Sequence, residues 1–133
     1  MKVWGIGATW EKSMIKKFEE ENAVAIGWEE KDAPALYGMM NEIEPGDLVY
    51  VKSFVIKGKK LSIKAVGEVV GNDFRQPYVF GENHGTIHVK WRENSFKHTE
   101  SYMISSQEIR YNVYSHTLYR EYNSQIIEKV LNY

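Results

Sequence analysis

Phe, Trp and Tyr make up 14% of this 133-residue chain, and the placing of a few of them points to chemistry by stacking. Trp28 closes the apolar run Ala23-Val24-Ala25-Ile26-Gly27, where the chain turns to Glu29, Glu30, Lys31 and Asp32. Strand ends commonly carry sites. A large flat side chain beside a glycine there reads as one wall of a pocket for a planar ligand. The competing reading is a rim tryptophan that caps the core, since Trp is commonly a partly buried packing residue. Phe74, Tyr78 and Phe80 fall in a stretch, 72–85, otherwise rich in Asn, Gly and Pro, and a loop with three aromatics is expected to fold onto something. Lys52, Lys57, Lys59, Lys60, Lys64 and Arg75, mostly on a hairpin, are natural phosphate contacts. They read equally as a solvated tip with lysines guarding a sheet edge.

Bond-making chemistry has weaker signals. His84 and His88 are four apart, but in a strand or loop, and lack an acidic or cysteine partner at ligand spacing, so no zinc site is expected. His98 and His116 are isolated. The acids of 19–21 and 29–30 read as solvated charge, because adjacent residues on a helix do not face one another. None of Ser13, Ser53, Ser62, Ser105 or Ser106 sits in a glycine-flanked elbow. A non-enzyme without a cofactor is the expectation, although catalytic partners meet in space rather than in sequence.

The elements that must position these residues follow from periodicity. A first strand over 2–8 contains Val3, Trp4 and Ile6; Thr9 is a plausible cap for a helix with Trp10, Met14 and Phe18 on one face. The run 23–28 reads as a buried central strand. Asp32 caps a second helix with Pro34 in its first turn and Leu36, Tyr37, Met40 and Ile43 as its stripe. After Glu44-Pro45-Gly46-Asp47 the period becomes two: a long strand to Ile56, a hairpin tip at 57–60, and a return strand from Leu61 to Val69. Thr86 to Arg92 reads as a half-buried strand, 94–99 as a turn and 102–105 as a short strand. The spacing of Leu118, Tyr119, Tyr122, Ile126, Ile127 and Val130 predicts a closing helix over about 117–131, with Asn123-Ser124 able to break it. Gly5-Ile6-Gly7 before a helix resembles a dinucleotide loop, but Trp10 stands where the third glycine belongs and the β-rich second half does not suit a doubly wound sheet.

Composition sets the frame. At this length one domain, 1–133, is expected, with a core that needs no staples. Cysteine is absent, and 17 basic against 18 acidic residues give a formal charge of -1. A disulfide framework is excluded and binding of nucleic acid by bulk attraction is not expected. No long apolar segment follows Met1, so neither signal peptide nor membrane span is expected, and a cytoplasmic protein is the default.

The order of these pieces resembles the PUA-like superfamily, and within it EVE and YTH domains, including the modified-base-reading modules of McrBC-type restriction systems. The resemblance runs from about Trp4 to Trp91. It rests on Trp4 in the opening strand, Ala25-Ile26-Gly27-Trp28, Pro45-Gly46-Asp47-Leu48-Val49-Tyr50, the strand 63–69, and Val89-Lys90-Trp91. It implies an α+β domain with a small curled β-barrel flanked by helices, in the order β-α-β-α-β-β-β and then a C-terminal helix. The implied function is a non-catalytic module that reads a modified base, methylation foremost, in an aromatic cage, without a cofactor. Trp28 would be one cage wall, and the segment with Phe74, Tyr78 and Phe80 the other. Thr9 and Trp10 would lie near the ligand, with Glu29 or nearby main chain on the polar edge of the base. The partner would be DNA or RNA, with any effector on a separate polypeptide. The alternatives are a PUA-like RNA binder without modification preference, a small nucleotide-directed enzyme using His84, His88 or Glu29, and a protein-interaction module.

Overall fold

A computed structural model describes residues 1–55, 57, 59–71, 79–81, 83–105 and 113–133. Phe74, Arg75 and Tyr78 lie outside these residues. The chain is α+β: a curled, open half-barrel sheet with three helices. Its strands are β1 (Val3–Gly7), β2 (Ala23–Val24), β3 (Leu48–Val55), β4 (Lys60–Gly71), β5 (Ile87–Trp91), β6 (Glu100–Met103) and β7 (Leu118–Arg120). The helices are α1 (Ile15–Glu21), α2 (Pro34–Met40) and α3 (Ser124–Leu131). The spatial order is β2-β5-β4-β3-β1-β7, with β6 on the tip half of β4. β1 and β3 run parallel, and the remaining pairings are antiparallel.

β4 supplies the curl. Two of its residues have no opposite number, Lys64 against β3 and Val70 against β5, and such bulges bend a strand and increase its twist. The first also changes which face the β4 side chains meet. Ile63 and Val66 join Val3, Leu48, Tyr50 and Tyr119 beneath Ile126 and Val130 of α3. Ala65 and Val69 join Trp4, Ile6, Val49 and Val51 beneath Phe18 of α1 and Tyr37 and Met40 of α2. Both faces of the sheet are therefore cores, which is why β3 reads as apolar on both phases of its alternation.

The turn before β3 is pinned from three sides. Asp47 is buried and accepts hydrogen bonds from Lys2 N (2.9 Å), Trp4 Nε1 (3.1 Å) and Glu44 N (3.0 Å). Burial alone would raise its pKa, but these bonds and the nearby Lys2 ammonium hold it below the usual carboxylate value. Gly46 takes φ 92° there, a conformation that favours glycine.

Several elements depart from expectation. The run 23–28 is wholly buried through Ile26, yet only Ala23 and Val24 pair, and they form the edge of the sheet, not its centre. The first helix starts at Ile15, not after Thr9, because 8–14 closes on itself: Thr9 bridges Ser13 and Met14 N donates to Ala8 O. Asp32 ends a 3-10 turn over Glu30–Asp32, and Ala33 precedes α2, with Pro34 in the first helical position. The 117–131 stretch divides at Asn123, whose Oδ1 accepts from Gln125 N and Ile126 N and so caps α3. Ahead of that cap, Leu118 to Arg120 pair with β1 instead of continuing a helix. Among the described residues the strand count is accordingly seven.

Candidate functional site

Trp10 is turned inward by the closed 8–14 loop, where its amide donates to Lys12 O at 3.0 Å. Its indole meets Phe18 (6.3 Å between centroids) and Phe80 (6.0 Å) edge-on, and lies near-parallel to His84 at 5.7 Å and 17°. Phe18 and Phe80 complete the cluster at 5.3 Å. The indole also rests on Gly27: a Cβ there would come within 2.9 Å of Trp10 Cγ. The glycine of Gly27-Trp28 is thus what admits Trp10. Of these groups Trp10, Gly27, Phe80 and His84 line an open cleft of about 1010 Å³ whose rim carries Lys12, Lys16 and Lys17, with Glu11 and Glu20 beside them. Lys16 and Lys17 make i,i+4 pairs with Glu20 (3.9 Å) and Glu21 (3.4 Å) on exposed surface, contacts weak enough to yield to a phosphate. Trp10 Nε1 is buried and has no hydrogen-bond partner among the described residues.

Trp28 follows Gly27 with its side chain half-exposed, at 47%. Its main chain is held firmly: the buried Tyr37 hydroxyl donates to Trp28 O at 2.8 Å and accepts from Gly85 N at 2.9 Å. That one hydroxyl ties the β2 strand end to the segment carrying Phe80 and His84. Thr9 is exposed on the closed loop. Glu29 is engaged locally, its carboxylate 3.4 Å from Lys31 and its carbonyl accepting from Asp32 N and Ala33 N.

The structure therefore brings Trp10, Phe80 and Gly27 together, whereas Trp28, the next residue along the chain, is absent with Thr9 and Glu29 from the described cleft lining. The hairpin cations are placed elsewhere. Lys60 pairs with Met103 at the start of β4, at the opposite end of that strand from Gly71, where the 72–85 stretch leaves it. Lys57, Lys59, Lys60 and Lys64 are absent from the described cleft lining. Lys52 is no surface cation at all: it is buried, its ammonium donates to Tyr114 O at 2.7 Å, and desolvation lowers its pKa to about 8. Its place in a strand with two buried faces was the available signal. His84 was anticipated only as a residue of the enzyme alternative, and Tyr37, Lys12 on the closed loop and Lys16 and Lys17 of α1 were not anticipated as parts of the site. Of the histidines considered for metal, His84 lies in the cleft, and His88 pairs with Ala23 on β5, its Nε2 buried and without a partner.

On the other face of the sheet lies a second polar centre that sequence patterning did not single out. Tyr50 donates to Glu121 Oε1 at 2.5 Å and shares a 2.6 Å bond with the Tyr119 hydroxyl. Tyr114 Oη and Asn123 N both donate to Glu121 Oε2 at 3.2 Å. Burial pushes the Glu121 pKa up against these bonds, and raises those of Tyr50 and Tyr119. Gly5 makes room for the cluster, since a Cβ there would stand 2.4 Å from the Tyr119 ring. Among the described residues no group of three His, Cys, Asp or Glu is placed to hold a metal, and no described helix is long and apolar enough to cross a membrane. No protein-family model matches this chain, and no curated protein matches it significantly.

Proposed function

We propose that this domain is a non-catalytic nucleic-acid-binding module that reads a modified base, with methylation the foremost case, in the aromatic cleft between the 8–14 loop, Gly27-Trp28 and the Phe80–His84 segment. The observation that carries the reading is the union, in one open cleft, of an aromatic floor (Trp10, Phe80, His84) with a lysine rim (Lys12, Lys16, Lys17). A flat, apolar-faced, phosphate-bearing ligand suits both parts. Stacking on such a surface contributes about 1–3 kcal/mol per base, and burying a methyl group adds about 0.8 kcal/mol. Preference for the modified base must then also come from polar groups that the wrong base leaves unpaired. On this reading the half-exposed Trp28 ring, beside Gly27 and outside the described lining, would turn toward the bound base as a second stacking face. The curled sheet with flanking helices accords with the PUA-like, EVE-like resemblance, in which a separate effector would act on what the module binds. On this reading phosphates meet α1, not the hairpin.

His84 stands in the same cleft, and this favours one alternative, a small nucleotide-directed enzyme. Titration of tryptophan fluorescence with modified and unmodified nucleosides and short single strands separates the two. The reader predicts saturable quenching, tighter for the modified base, that Trp28→Ala removes without unfolding the protein. Turnover of a nucleotide that His84→Ala abolishes would replace it with the enzyme. Absence of any response to nucleic acid would remove both.

A further inference from the structure

A second cleft, of about 650 Å³, opens between Met39 of α2 and the 113–123 segment. Its volume is in the range of small-molecule sites, which are mostly apolar with a few convergent polar groups. Met39, Val113, Leu118, Tyr114, Tyr119 and Tyr122 supply apolar and aromatic wall. Arg120 is its one strong cation among the described residues.

The setting of Arg120 is unusual. Its guanidinium carbon is 5.7 Å from the Trp4 ring and 5.0 Å from the Tyr122 ring, so the group is held between two aromatics. Its Nε is buried and has no hydrogen-bond partner among the described residues. No carboxylate among the described residues pairs with it, although Glu121 is its chain neighbour, because both Glu121 oxygens are taken by Tyr50, Tyr114 and Asn123 N. Asn123 Oδ1 is likewise engaged in capping α3. A partly desolvated cation without an anion is costly. Here it stands at an aromatic cleft where Glu121, the one carboxylate among the described lining residues, is already satisfied; Glu42 and Glu44 line the adjoining cleft that Arg120 also borders, and neither pairs with it.

We infer that this cleft binds a small aromatic carboxylate, its ring against Met39, Leu118 and Tyr122 and its carboxylate on the Arg120 guanidinium. A guanidinium stacked between rings keeps its planar edge for bidentate pairing with a carboxylate, a geometry that lysine cannot reproduce. Tyr122 is 76% exposed, so its ring is free to adjust around a bound ligand beside the guanidinium. His116, exposed at the lip, adds a second donor. The site is separate from the base cleft and does not depend on it.

The test uses the full chain with 13C-labelled methyl groups, following Met39 and Leu118 by NMR on titration with 2-naphthoate and, separately, 2-naphthamide. The expected result is a saturable shift of both methyls by naphthoate, with naphthamide weaker by about tenfold, the loss of one charge-assisted pair. Arg120→Gln should weaken naphthoate by a similar factor and leave naphthamide unchanged. No shift at millimolar naphthoate, or equal binding of acid and amide, overturns the inference. The acid–amide comparison on the unaltered protein decides even where Arg120→Gln fails to fold, and Trp28→Ala, which addresses the other cleft, should leave it unchanged.

Discussion

The two faces of this sheet handle polar and aromatic groups in opposite ways. Beneath α3, the Tyr50, Tyr114 and Tyr119 hydroxyls and Glu121 are buried and bonded to one another, and Tyr50 and Tyr119 come from strands fixed by the sheet ladder. Beside α1, the aromatic cluster around Trp10 is assembled from a closed loop, one helix and the Phe80–His84 segment, leaves Trp10 Nε1 without a hydrogen-bond partner among the described residues, and opens to solvent. A satisfied strand-built network rigidifies a core, whereas loop-built surfaces are where ligands are commonly held. On the proposed reading, the bonded network serves stability and the loop-built cleft beside α1 serves base recognition.

Removing the acceptor at the centre of the satisfied face should do the most damage. Glu121→Ala strands the Tyr50 and Tyr114 hydroxyls and Asn123 N–H, and a loss of roughly 3–5 kcal/mol in urea unfolding is expected. Glu121→Gln, which keeps one acceptor oxygen, should lose less than half as much. Equal losses would show that space-filling, not hydrogen bonding, is what Glu121 supplies.

A pair of glycine substitutions sets the two faces side by side. Gly5→Ala drives a methyl into the buried Tyr119 ring, at 2.4 Å, and should cost about 1–3 kcal/mol. Gly27→Ala meets Trp10 at 2.9 Å, but Trp10 borders open space and can yield. Its stability loss should be smaller, while the tryptophan emission shifts and ligand binding falls. A larger loss at Gly27 than at Gly5 would reverse the assignment of the two faces.

Lys52 gives the contrast a pH signature. Its pKa in the folded protein, about 8, lies below the ordinary 10.5. Between these values the unfolded chain binds the extra proton, so the penalty of the buried ammonium is full below pH 8 and is relieved as pH rises. Stability should therefore climb from about pH 8 toward pH 10. Above that, Tyr50 and Tyr119, whose pKa values burial raises, oppose further gain because the unfolded chain ionises first. Urea midpoints across pH 7–10 check this, and Lys52→Met should flatten the rise.

The smallest stability effect belongs to the residue with the largest expected effect on binding. Trp28→Ala should change unfolding by less than about 1 kcal/mol, since the side chain is half-exposed, while removing the response to a modified nucleoside. Unfolding on this substitution would place Trp28 with the core and leave the cleft to Trp10, Phe80 and His84.

Much of the architecture was legible from periodicity. β1, β3 with its hairpin, β4 and β5 follow from two-residue alternation, and α2 from Pro34 and its stripe. Both faces of β3 announced a sheet buried on both sides. The aromatic wealth of Trp10, Trp28 and Phe80 was also visible, because residue type alone says which side chains can stack. What periodicity could not settle was where a 3.6-residue stripe yields to other contacts. Trp10 fits a helical face by spacing, yet its indole fills the space above Gly27. Leu118 and Tyr119 fit the last helix, yet Gly5 offers Tyr119 a flat bed on β1. Burial and pairing also separated at Ala25 and Ile26, because an edge run can be covered by helices without a strand on its far side. The cation placement was the least readable part: Lys52 lies on a buried face after the irregularity in its pairing with β4, and the α1 lysines reach the cleft only because the 8–14 loop folds back. Sequence determined which groups exist and which local periods they obey. Tertiary structure alone decided which of them meet, because a close approach at Gly5 or Gly27 depends on residues more than a helix length away along the chain.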